Sequence, residues 1–132
     1  MKVLEFAFNA NDNSVYLPHA HNENSVCYTG THDNDTLKGW LDGIEPANLE
    51  MAKEYLGLSQ DEGYVRGVIR GGMSSVARLF VAQMQDYLEL DNSARINTPG
   101  TSEGNWRWRM LPGQIPKDLS AQIARMTKLY NR

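Results

Sequence analysis

One cysteine stands in the 132 residues, Cys27. That count excludes an intramolecular disulfide framework and any zinc site built on several thiolates. Cys27 lies in the apolar run Val26-Cys27-Tyr28, where a free cysteine reads as a small buried hydrophobe rather than a nucleophile. No apolar stretch approaches the roughly 20 residues that a membrane-spanning helix needs. The N-terminal MKVLEFAF has one Lys and is broken by Glu5, so it lacks the distinct apolar segment of a secretory signal. Positive charge is also scarce. Thirteen Lys+Arg against 16 Asp+Glu give a net charge of -3. The arginines are scattered rather than gathered in a stripe, which argues against a nucleic-acid partner. These absences lead to the expectation of a soluble, cytoplasmic chain with neither membrane nor nucleic acid as partner.

What is present fits one globular domain over 1–132. Hydrophobic residues make up 41% and charged ones 22%, close to the average for packed domains. Residues 2–8, KVLEFAF, read as a first strand, 25–30 as a second and 79–84 as a third, buried one. Pro46 opens a helix that runs to Leu58, with Ala47, Met51, Ala52, Tyr55 and Leu56 on one face. Val65, Val68, Ile69, Met73, Val76 and Ala77 recur at spacings of three and four, which predicts another helix with one buried stripe. Gly71-Gly72 inside that pattern implies close packing or a bend. After Pro116 comes a last helix with Leu119, Ile123, Met126, Leu129 and Tyr130 facing inward. Strands apolar on both faces and separated by helices predict a parallel α/β sheet. Each polar cluster follows a strand and precedes a helix, which is where α/β barrels carry their chemistry. A whole barrel needs about 250 residues, so three strands make a slice of one.

Four consecutive polar side chains, His32-Asp33-Asn34-Asp35, end the second strand within THDNDT. One reading is a helix start, with Asp35 or Thr36 capping the turn at Leu37-Lys38-Gly39-Trp40. A calcium loop fits poorly, because Lys38 stands where that loop requires glycine. Zinc would need further ligands such as His19 and His21. A substrate reading has a physical basis: adjacent carboxylate and imidazole groups can share the hydroxyls of one sugar ring, in bonds that strengthen as a glycosidic transition state gains oxocarbenium character.

A second cluster is SARINTPGTSEGNWRWR, residues 93–109. Trp106 and Trp108 are expected to pack into the core, with Arg107 and Arg109 paired to carboxylates. The alternative is that the indoles stack on sugar rings or, less fittingly for an acidic chain, on bases. Asn97, in a Pro/Gly loop, is the better ligand contact.

YTGTHDNDT (28–36), with YLPH (16–19) and Gly39-Trp40 beside it, resembles the amylomaltases, the disproportionating 4-α-glucanotransferases. So do MKVLEFAF (1–8), MSSVARLFVAQMQDYLEL (73–90) and SARINTPGTSEGNWRWR (93–109), a likeness that runs to about residue 113. The resemblance implies the C-terminal portion of a (β/α)8 barrel, beginning near its sixth strand, in an enzyme that moves α-1,4-glucan segments between maltodextrins with retention. It implies an Asp nucleophile and a Glu acid/base outside this sequence, so that the chain alone is expected to be inactive. Asp33 matches the second Asp of the family, which holds the donor sugar and stabilises the transition state, with His32 as hydroxyl donor beside it. Asn97 matches a residue near the same sugar and Phe6 an aromatic on the acceptor side. Asp35 is left as a support of the loop. No cofactor is implied, since the chemistry needs carboxylates only. The expected partners are a glucan or maltodextrin, and either the N-terminal barrel portion or a second copy across the first strand. A non-catalytic glucan-binding fragment and one chain of a split enzyme are the rival readings.

Overall fold

The computed structural model describes residues 1–132. Three short strands, β1 (Lys2–Val3), β2 (Val26–Tyr28) and β3 (Leu79–Val81), form a parallel sheet in that order. Lys2 pairs with Cys27 and Val3 with Tyr28; Cys27 pairs in turn with Phe80. The ladder runs one residue further at each strand end, Glu5 N donating to Thr29 O (3.2 Å) and Thr29 N to Val81 O (3.1 Å). Parallel strands need long crossovers, and the one from β2 to β3 carries three helices.

The first strand is shorter than 2–8. Ala7 N turns back to Leu4 O at 2.9 Å and Leu4–Phe6 forms a 3-10 turn. Such a turn sets residues three apart on one side, and Leu4 and Ala7 are both fully buried. Core burial of that pair thus ends the strand and turns Phe6 outward.

The helix α1 (Leu37–Gly43) starts at Thr36, whose buried hydroxyl accepts from Gly39 N at 3.1 Å. α2 (Pro46–Leu56) opens on its proline and ends before the predicted Leu58, because Gly57 adopts the left-handed conformation (φ 63°) that closes a helix. Ala52 and Leu56 are its buried residues, while Ala47 and Tyr55 lie exposed on the rim of the expected face. α3 (Tyr64–Met73) buries Val65, Val68, Ile69 and Met73. Gly71-Gly72 serves close packing. A Cβ on Gly71 would stand 2.5 Å from Leu56 Cδ2, and one on Gly72 would strike the ring of Phe80. Val76, beyond the helix end, is exposed.

β3 is not the buried strand that its apolar sequence predicts. Leu79 is 57% and Val81 43% exposed; two apart in the strand, they share one sheet face, and nothing packs over that face at β3. After the short α4 (Met84–Tyr87), the chain makes a 3-10 turn at Asn92–Ala94 and a long loop before α5 (Leu119–Leu129). Leu119 is buried and Ile123, Met126 and Tyr130 half-buried, but Leu129 is exposed. At 100° per residue, Leu129 lies well off the stripe through the other four.

Cys27 is fully buried, and burial pushes its thiol up to about 11, so it is inert filler. No helix is long and apolar enough to cross a membrane. The whole is a small α/β unit of three parallel strands and packed helices.

Candidate functional site

The segment after β2 is held tightly. Asn34 Oδ1 accepts from both Thr31 N (2.9 Å) and Thr31 Oγ1 (2.7 Å), and Asp33 N donates to Thr31 Oγ1 at 3.3 Å. These are the local side-chain bonds by which Asn and Thr favour turns. Gln83, just past β3, donates from Nε2 to Thr31 O (3.3 Å) and Asp35 O (3.4 Å). Asp35 is wholly engaged in support: Oδ1 accepts from Thr36 N and Oδ2 from Asn92 Nδ2, each at 2.7 Å. The helix cap is therefore Thr36, with Asp35 behind it.

Asp33 is the point where the two polar clusters meet. Asn97 Nδ2 donates to its Oδ1 at 2.7 Å, and His32 Nε2 stands 3.3 Å from the same oxygen. Arg95 Nη2 donates to the Asp33 carbonyl at 2.7 Å and Arg95 Nε to the Asn97 carbonyl at 2.9 Å, so one guanidinium ties both backbones together. The His32 and Asp33 side chains are about half exposed, at 55% and 49%. A polar contact that open adds little stability. Asp33 Oδ2 accepts no protein hydrogen bond, and Asp33 lines an open groove together with Tyr28, Gly30, Thr31, His32 and Gln83. A carboxylate and an imidazole beside an open groove at a strand end can accept from and donate to hydroxyl groups.

Beneath this surface lie two acids, Asp86 and the half-buried Glu5. Asp86 is fully buried; its Oδ2 accepts from Thr29 Oγ1 (2.6 Å) and its Oδ1 from Leu37 N (2.8 Å). Burial raises its pKa, and these bonds oppose the shift. Glu5 is pushed up to about 9 by burial, with the Asp86 and Asp35 carboxylates adding to the effect and Arg95 opposing it. At neutral pH Glu5 is thus a neutral acid, with Oε1 unpartnered and lying where a Cβ on Gly30 would stand.

The structure brings His32, Asp33 and Asn97 together. Phe6 lies apart from that bonded cluster; it is 52% exposed and meets Tyr16 edge-on at 5.6 Å. His19 Nδ1 lies 2.9 Å from Tyr55 Oη and His21 Nε2 2.8 Å from Tyr16 O, so neither joins the THDNDT loop. The expectation for the tryptophans fails: Trp106 is 64% exposed, with its ring 5.2 Å from that of His32, and Trp108 is half-buried and outside the core. Arg107 and Arg109 form no ion pair, since the loop holds them in solvent rather than beside a carboxylate. Arg95, Asp86 and Glu5 were not legible as parts of the site. The one signal for Asp86 is its place in the family string MSSVARLFVAQMQDYLEL, after the third strand.

A model of the 4-alpha-glucanotransferase family matches residues 1–114. The 4-alpha-glucanotransferase of Clostridium butyricum is 46% identical over 133 residues, covering 100% of this chain and 27% of that protein. Its counterpart in Streptococcus pneumoniae is 43% identical, with 100% and 26% covered. The chloroplastic/amyloplastic enzyme of Solanum tuberosum is 41% identical, with 96% and 22% covered. Among solved structures, the amylomaltase from Streptococcus agalactiae in complex with acarbose superposes with a TM-score of 0.96 at 33% identity, over 100% of this chain and 27% of that one. The chain spans about a quarter of the length of the curated relatives it matches.

Proposed function

The chain belongs to the 4-alpha-glucanotransferase family, and from that premise we propose that residues 1–132 are a single domain supplying the last three strands of a (β/α)8 catalytic barrel. The complete enzyme transfers α-1,4-glucan segments between maltodextrins with retention. Retention by the covalent route requires a nucleophile and an acid/base flanking the scissile bond. Those two carboxyl groups come from the remainder of the barrel, so this segment alone is inactive. Asp33 accepts hydroxyls of the donor sugar through its free oxygen, and His32 donates to a neighbouring hydroxyl. Asn97 fixes the carboxylate and lies beside the same sugar. Phe6 offers an exposed ring on the acceptor side. Hydroxyl bonds of this kind strengthen as the ring flattens and gains positive charge, which lowers the barrier to glycosyl transfer.

The observation that carries this reading is the Asp33 carboxylate, held on one oxygen by Asn97 and open on the other at a strand end. The acarbose in the structural neighbour supports a glucan-type ligand. The test is chromatography of sugars after incubation with maltotriose. The full-length enzyme carrying this segment is expected to form glucose and longer maltodextrins, Asp33→Asn to lose about a hundredfold or more, and the segment alone to form nothing. Turnover by the segment alone would overturn its incompleteness, and undiminished transfer by Asp33→Asn would overturn the role of Asp33.

A second reading is favoured by the sheet, where β1 and β3 each have one strand neighbour. Open edges invite pairing. The segment would then act as a glucan-binding fragment or as one chain of a split enzyme, associating with the N-terminal barrel portion or with itself. A sharp monomer peak in light scattering at micromolar concentration counts against association.

A further inference from the structure

Trp106 combines two features that are individually unfavourable. Its indole is 64% exposed, and its backbone is left-handed at φ 61°, a region that a bulky L-residue avoids because Cβ crowds the neighbouring carbonyl. Strain of this kind persists where surrounding structure over-determines it, and such residues gather at functional sites. Here the surroundings are visible. Trp106 N donates to Ile96 O at 2.7 Å, closing the loop. Inside it, Asn105 Oδ1 accepts from Thr98 N (2.8 Å) and Asn105 Nδ2 donates to Thr101 Oγ1 (2.9 Å). A braced loop therefore presents the indole, and it presents it to His32, with ring centroids 5.2 Å apart and planes inclined by 36°.

His32 needs such a neighbour. Its imidazole is exposed, and the 3.3 Å approach to Asp33 Oδ1 is its one polar contact in the protein. Without a wall on one face, rotation about its side-chain bonds would sweep Nε2 away from the carboxylate. Residues 95–106 already hold Asp33 twice, through Arg95 on its carbonyl and Asn97 on its carboxylate. Trp106 gives the same loop a third anchor, on the other member of the pair.

We propose that Trp106 is a positioning residue that acts through His32, its indole face setting the plane in which the imidazole meets Asp33 and the donor sugar. This rests on the reading that His32 and Asp33 contact that sugar. The indole contributes a wall rather than a hydrogen bond to substrate, so its removal slows the chemical step more than it weakens binding.

The experiment is maltotriose disproportionation by the full-length enzyme carrying this segment, with variants in two backgrounds. Trp106→Ala is expected to lower kcat about tenfold with KM moved less than twofold, and Trp106→Phe, which keeps a ring, to retain most of the rate. Trp106→Gly relieves the left-handed backbone yet removes the ring, so it should match Trp106→Ala. In a His32→Ala background, Trp106→Ala should cost less than twofold, because residues acting through one another are not additive. Additive losses, or a raised KM with kcat intact, would overturn the proposal and make the indole a sugar platform in its own right. A silent Trp106→Ala beside a costly His32→Ala would overturn the proposal alone. An unaltered kcat in His32→Ala would overturn the reading beneath it as well. Upfield ring-proton shifts of His32, lost in Trp106→Ala and kept in Trp106→Phe, show independently of turnover that the two rings stay in contact.

Discussion

Asn97 Nδ2 donates to Asp33 Oδ1 at 2.7 Å across 64 residues of chain. This bond joins the loop after β2 to the loop after α4, and it leaves the other oxygen of Asp33 without a protein partner. Asn97→Ala should free the carboxylate to rotate and lower kcat/KM about tenfold, as small misplacements of a reacting or binding group do. Asn97→Asp sets two carboxylates together, and like charges raise the pKa of one of them. Its loss relative to wild type should therefore be larger at pH 7 than at pH 5, read from kcat/KM with maltotriose in the full-length enzyme.

Glu5 makes stability depend on pH in an unusual direction. Its carboxyl titrates near 9 in the fold against 4.5 ordinarily. Between those values the folded chain keeps a proton that the unfolded chain releases. Its contribution is complete below about pH 4.5 and is lost as pH rises through about 9, by at most about 1.4 kcal/mol per pH unit. Glu5→Gln keeps the shape without the proton. Urea melts should show the variant more stable than wild type at pH 8 and little different at pH 4.

Gly72 has no room for a methyl group. Gly72→Ala would push into the Phe80 ring and should destabilise by about 1–3 kcal/mol, the usual cost of overpacking. Gly43→Ala, at the end of α1 with nothing within 4 Å of its Cβ position, should be neutral or stabilising by up to about 1 kcal/mol. A urea titration of both variants gives the contrast directly.

Asp86 accepts from Leu37 N and Thr29 Oγ1, the residues that flank the 30–36 loop. Asp86→Ala strands two buried donors at about 1–3 kcal/mol each. Asp86→Asn retains one acceptor oxygen and carries no charge to desolvate, so it should lose less. Denaturant midpoints rank the two, and the order Ala below Asn is the expected result.

Much of the fold is visible in the order of residues. The stripe of α3, the proline that opens α2 and the polar run after β2 all come from neighbours within a few positions, and all appear where they were expected. The errors fall where distant chain decides. The first strand stops early because Leu4 and Ala7 turn into a common core. β3 looks buried by composition, but the face that Leu79 and Val81 share is left uncovered by the packed helices. Leu129 has the apolar character of its helix stripe but not its angle. Trp106 has the composition of a core residue, yet a left-handed backbone carries it to the surface beside His32.

By itself the sequence determined the proline start of α2, the buried stripe of α3 and the family strings that single out His32, Asp33 and Asn97, since these depend on residue type and short-range spacing. Tertiary structure alone decided that Asn97 would hold one oxygen of Asp33, that Trp106 would wall His32, and that Glu5 would keep its proton. The physical reason is common to all three. Hydrogen bonds, ring contacts and desolvation act over a few ångströms, and only the folded chain brings those groups that close.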